Sequence, residues 1–154
     1  MKTIAYKQEN GSLGIIALFR EDGLESVISS RGLKFIPHKI LDGTEQIDHE
    51  FFDAHEMTDA AEITVNISKA KAIQKNKWRA KRIPILKQLD VDYIRAVERG
   101  DTAAQQEITL KKQQLRDITL IELPDSLEGI KSVLPEALSA YSQNYDENGV
   151  EIVQ

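Results

Sequence analysis

The chain contains no cysteine, and that absence removes disulfide frameworks, thiol nucleophiles and cysteine metal sites. Long apolar runs are missing as well. No stretch reaches the roughly 18 apolar residues of a spanning helix, so no membrane partner is expected. The first ten residues, Met1 to Asn10, are too polar for a signal peptide. Gly-rich phosphate loops, G-x-G-x-x-G fingerprints and the G-x-S-x-G nucleophile elbow do not occur. What is present is a globular balance, 41% hydrophobic and 29% charged, in 154 residues. That length suits one domain, or one small domain with an appendage. The proportions exclude a disordered tail. The residues by themselves describe a helix-rich α+β protein that is not an enzyme and holds no cofactor.

The net charge of -5 conceals a strong pattern. Residues 1–67 carry 12 acidic and 6 basic side chains, residues 68–118 carry 6 and 13, and residues 119–154 carry 7 and 1. A basic middle between acidic ends reads as a solvated face balanced within the fold, or as a face for an acidic protein partner. Nucleic acid is the least favoured partner, because the overall pI is 5.3.

The N-terminal third predicts short elements. Thr3-Ile4-Ala5-Tyr6 and Leu13 to Phe19 flank Asn10-Gly11, the pattern of a β-hairpin with a type I′ turn. Residues 24–30 have helical spacing at Leu24, Val27 and Ile28. Lys34 to Leu41 predicts an extended piece, which Pro37 would place at a sheet edge. Asp48 to Met57 predicts a short acidic helical turn anchored by Phe51 and Phe52, and Glu62 to Ile67 another strand.

At Ser68 the character changes. Residues 68–119 contain one proline and one glycine. Ile67, Ala70 or Lys71, Gln74, Trp78, Ile85, Leu89, Tyr93 and Ala96 fall on one helical stripe, which Leu86, Ile94 and Val97 widen. Asn66 or Ser68 can cap this helix, and Pro84 predicts a kink or break. Gly100-Asp101 predicts its end and the start of the next, with Gly100 in a left-handed C′ position and Asp101 as N-cap. Ala104, Ile108, Leu115 and Ile118 line one face of that second helix. A third helix, Leu127–Leu138, follows Asp125-Ser126 and should bend at Pro135. Residues 142–154 are polar and acidic and are expected to fray. The fold class is thus α+β: a small β-rich unit (1–67), a long antiparallel helical hairpin (68–119), and a C-terminal helix with an acidic tail (120–154).

Candidate sites are few. His49 and His55 are six apart, on opposite sides of a helix, whereas a zincin needs histidines at i and i+4. His38 stands alone. Asp90-Val91-Asp92 lacks the glycine and the downstream glutamate of a calcium loop. Asp90 is expected to pair with a basic neighbour on the next helix, and Asp117 to do the same. No catalytic or metal residue is therefore assigned. Trp78 lies among Lys75, Lys77, Arg79, Lys81 and Arg82, a composition typical of protein-interface anchors. A tryptophan buried against the N-terminal unit is the plain alternative. The stripe also alternates small residues (Ala70, Ala96, Ala104) with few large ones (Trp78, Ile85, Leu89, Leu115). Such a surface predicts cover from another chain, either copies of itself or a partner.

The middle segment resembles a known family. Lys69-Ala70-Lys71-Ala72-Ile73, Trp78-Arg79-Ala80-Lys81-Arg82-Ile83-Pro84-Ile85-Leu86, Leu89-Asp90, Arg95-Ala96-Val97-Glu98-Arg99-Gly100-Asp101 and Leu115-Arg116-Asp117-Ile118-Thr119 follow one another in order. This series is similar to that of small bacteriophage tail proteins labelled tail fibre assembly or tail assembly chaperone proteins. It covers about a third of the chain. The segment Phe52-Asp53-Ala54-His55 departs from the pattern, which has tryptophan where His55 stands. The resemblance implies a non-enzymatic protein that binds a tail fibre or receptor-binding protein and assists its folding, assembly or attachment. Trp78, Arg79, Arg82, Ile85, Leu89 and Tyr93 would be the contacts, with the turn at Gly100 and Asp101. It implies a place in the host cytoplasm during phage assembly, or in the virion tail. A permanent structural component of the tail is the alternative reading.

Overall fold

The computed structural model describes residues 2–18, 20–43 and 47–141. The chain divides at Ala70/Lys71, inside its longest helix, into two compact units. The architecture is α+β: small antiparallel sheets first, then a long helix, a second helix and short C-terminal helices.

In the first unit, β1 (Lys2–Lys7) and β2 (Leu13–Leu18) form the expected hairpin. Its turn differs from type I′. The Gln8 N–H donates to the Ser12 carbonyl and the Gly11 N–H to the Gln8 carbonyl, both at 2.9 Å. Gly11 is left-handed at φ 82°, and Asn10 is not. This is a three-residue loop ending in a left-handed glycine. Asn10 favours it because its Oδ1 accepts from the Ser12 N–H at 3.0 Å, an Asx-turn that the two-residue loop would forfeit. Phe19, the expected end of β2, lies outside the described residues.

β3 (His38–Asp42) pairs antiparallel with β1, giving the order β2-β1-β3. Only the second half of the extended piece expected over 34–41 is strand. Leu33–Phe35 form a 3-10 turn, which tucks Leu33 into the core while Pro37 precedes the strand. Both faces of the sheet are covered, which is why Thr3, Ile4 and Ala5 on the central strand are fully buried. On one face Ile4 packs with Ile28 and Leu33, backed by Leu24 and Val27 of α1 (Leu24–Ser30). On the other Ala5, Leu13 and Leu41 pack with Ile47 and Met57. The expected helical stretch 48–57 is a 3-10 segment only to Ala54, capped by the Asp48 carboxylate. His55–Met57 then become β4 and pair with β5 (Ile63–Val65).

β4 also fixes the start of the long helix α2 (Ile67–Glu98). Asn66 is the cap: its Oδ1 accepts from the Lys69 N–H at 3.1 Å. Glu56 on β4 holds both neighbours, accepting from the Lys69 ammonium at 2.7 Å and from Asn66 Nδ2 at 3.0 Å. Lys69 first and Asn66 second hold the Glu56 carboxyl below its ordinary value of 4.5. A depressed carboxylate stabilises the fold fully above its unfolded pKa and ceases to as pH falls through the folded one. Replacing Glu56 by glutamine should therefore leave the melting temperature nearly unchanged below that window. Above it, the wild type should gain stability that the variant does not, as a pH series of thermal melts would read.

In the second unit α2 runs through Pro84, so of the expected kink or break the break does not occur. The hydrogen bond that Pro84 cannot make would have gone to the carbonyl of Ala80, an exposed position where water can serve it. The helix ends as expected. The Gly100 N–H donates to Val97 and the Asp101 N–H to Ala96, both at 2.9 Å, with Gly100 at φ 67°. This pair of bonds is a Schellman motif. Asp101 Oδ1 then caps α3 (Thr102–Asp117), accepting from the Ala104 N–H at 3.0 Å. Nothing lies within 4 Å of a Cβ built on Gly100. Gly100→Val should thus cost about 1–2 kcal/mol from backbone conformation alone, read by chemical denaturation.

The helices lie antiparallel. Lys112 on α3 pairs with Asp90 on α2 at 2.5 Å, and Gln105 Nε2 donates to the Ala96 carbonyl at 3.4 Å. The Asp90 pairing matches expectation. Asp117 does not follow suit and accepts instead from Gln113 Nε2 at 3.0 Å on each oxygen. The expected third helix is two short ones, α4 (Leu127–Ser132), capped by the Ser126 hydroxyl, and α5 (Glu136–Ser139). Pro135 begins α5 rather than bending one helix, since proline suits a helix start and disfavours helix in the residue before it. The tail, residues 142–154, lies outside the described residues.

Candidate partner-binding surface

The six candidate contacts on α2 separate into two groups. Trp78, Ile85 and Leu89 are buried, at 2%, 4% and 6% exposure. With Gln74 and Ala96 they form a line whose members recur every eleven residues: Gln74, Ile85 and Ala96, then Trp78 and Leu89. Eleven residues make three turns of helix, so the line stays on one side along the whole helix. The three apolar side chains are enclosed within the chain and are not a contact surface. This also corrects the expectation that another chain must cover the stripe.

Arg82 is half-buried and engaged. Its Nη1 donates to the carbonyls of Leu115, at 3.2 Å, and Arg116, at 2.9 Å. Those carbonyls belong to the last turn of α3, where a cation meets the negative end of the helix dipole. Arg82 therefore joins the two helices. Tyr93 is half-buried, with the Lys112 ammonium 5.6 Å from its ring centroid, while Lys112 also pairs with Asp90. Together with Thr102, Gln106, Thr109 and Leu110, Tyr93 lines a shallow recess. Arg79 is exposed, its guanidinium bonded to Asn76 Oδ1 at 2.6 Å.

A second line, which the periodicity reading merged with the first, faces outward. Ile83 and Ile94 are 51% and 58% exposed, with Val97 at 50% and Val91 at 43%. Ile94 and Val97 do not widen the buried stripe. The signal was in the sequence: Ile83 and Ile94 are also eleven apart, but offset from the Trp78 series. Leu110 on α3 adds a further exposed apolar side chain.

The histidines are not gathered. His55 is buried, with its Nδ1 3.0 Å from the Phe51 carbonyl oxygen, and the His38 Nδ1 lies 2.9 Å from that of Ile36. Among the described residues no group of three or more potential ligands is positioned to hold a metal ion, and no helix is long and apolar enough to cross a membrane. Comparison with known proteins gave no match to a family model, to curated proteins or to solved structures.

Proposed function

We propose that this chain is a non-enzymatic bacteriophage tail protein that binds a tail fibre or receptor-binding protein and assists its folding, assembly or attachment. The observation that carries the reading is the ordered series in residues 69–119, from Lys69-Ala70 through Arg95-Ala96 to Leu115-Arg116-Asp117. The geometry is compatible with a binding role. Ile83, Ile94 and Val97 present apolar surface on a helix that Arg82 and Lys112 tie to its neighbour. Such a surface, apolar with cations such as exposed Arg79 beside it, suits a partner carrying apolar and acidic groups.

The test is co-expression with a fibre protein encoded beside it. The fibre protein should be recovered soluble and bound to this chain, and Ile94→Asp should weaken the complex with little change in the melting of the isolated protein. Fibre protein that folds unaided and shows no binding would overturn the reading. Presence in purified particles would assign the permanent structural role instead.

A further inference from the structure

The first unit carries an open sheet edge. The Lys7 N–H donates to the Pro37 carbonyl at 2.9 Å, so the odd-numbered residues of β1 face β3. In the registers Ala5↔Lys39 and Thr3↔Leu41, the backbone groups of Lys39 and Leu41 are therefore turned inward. Those of His38, Ile40 and Asp42 are turned outward, and among the described residues none hydrogen-bonds to that side. At the opposite edge the end next to the hairpin turn is covered, since Met57 reaches the Gly11 carbonyl at 3.3 Å and Ser12 bridges to Glu56. At the β3 edge Ile40 is 43% exposed, and Phe35, just ahead of the strand, is 93% exposed.

The strand is complementary to itself. His38 and Lys39 come first, and its acidic side chain, Asp42, which also accepts from the Lys2 ammonium within its own chain, comes last. In an antiparallel pairing of two copies centred on Ile40, every outward residue meets an outward residue. Ile40 faces Ile40, and His38 faces Asp42. A register shifted by two residues would set Ile40 against His38 or Asp42 and leave end groups unpaired. We propose that the outer edge of β3 is a homodimer interface, in which two copies pair about a two-fold axis at Ile40 and join their sheets into one. The exposed isoleucines form the cross-strand apolar pair at the centre. Lys39 lies on the other face beside the partner's Leu41, with its ammonium free to reach solvent.

The test uses the full chain, in which an introduced cysteine is the sole thiol. Directly opposed residues of a hydrogen-bonded pair have Cα atoms about 5.5 Å apart, within the roughly 4.4–6.8 Å span of a disulfide. Ile40→Cys should therefore oxidise to a covalent dimer. Asp42→Cys should not, since its copy would lie more than about 13 Å away along the strand. Sedimentation velocity over a concentration series should show wild-type dimer dissociating on dilution. Ile40→Lys should raise the dissociation constant about tenfold or more by opposing like charges. Ile40→Pro removes an outward N–H that an edge strand does not need, so it should give monomer with unchanged circular dichroism. If Ile40→Pro unfolds the chain, the lysine and cysteine variants decide. A wild-type chain that stays monomeric at millimolar concentration overturns the proposal and leaves the edge to an extended segment of another protein. A dimer indifferent to Ile40→Lys overturns it too.

Discussion

Leu89→Asp should unfold the helical unit rather than release a partner from an intact one. Leu89 is 6% exposed and lies in line with Trp78, also buried. Removing the leucine from a packed site costs about 2–5 kcal/mol, and a carboxylate placed there adds the cost of burying a charge or holding it protonated. The sum is at least ~4 kcal/mol, against a whole-domain stability of about 5–15 kcal/mol. Thermal melts followed by far-ultraviolet circular dichroism should show early loss of helix. An unchanged melt with altered sedimentation would return this stripe to the surface.

Phe51→Ala should be the comparable lesion in the first unit. Phe51 is 1% exposed and heads the fully buried side chains by volume. It sits in the 3-10 segment between the Asp48 cap and β4, and its carbonyl faces the buried His55 ring. Truncating a buried phenylalanine costs about 3–5 kcal/mol. The adjacent Phe52 is only partly buried, so Phe52→Ala should cost less. Urea unfolding midpoints of the two variants, with slopes unchanged, would rank them. Equal midpoints would contradict the burial difference.

Some of this fold was legible from the residues, for reasons that can be named. Gly100-Asp101 was readable because its motif is local: one left-handed glycine and one capping carboxylate specify it. The buried line of α2 was readable because its period is that of the helix. Who covers that line was not, since periodicity reports a face and says nothing of its neighbour. For the same reason Trp78 among cations supported both an interface and an interior, and Arg82 gave no hint that it would reach the carbonyls ending α3. The short elements failed differently. The strand His55–Met57 has three residues, too few to show alternation, and its form is decided by pairing with Ile63–Val65. At Asn10-Gly11 the dipeptide marks the place of the turn but not its type, because the bond that the Ser12 N–H donates to the Asn10 side chain outweighs the usual preference of the dipeptide.

The Gly100–Asp101 turn has a kinetic consequence. Once it forms, Gln105 and Ala96 are 9 residues apart, and each later contact, up to Arg82 and Leu115 at a separation of 33, closes only a short further loop. Growth of this kind resembles a zipper, and local topologies fold in microseconds to milliseconds. The three-stranded sheet has no such route, because Lys2 and Asp42 must meet across 40 residues before β3 can dock. The helical hairpin is therefore set to assemble ahead of the sheet, although it is the later segment of the chain. Stopped-flow refolding with Trp78 as the fluorophore would put the tryptophan phase before the slower signal of strand formation.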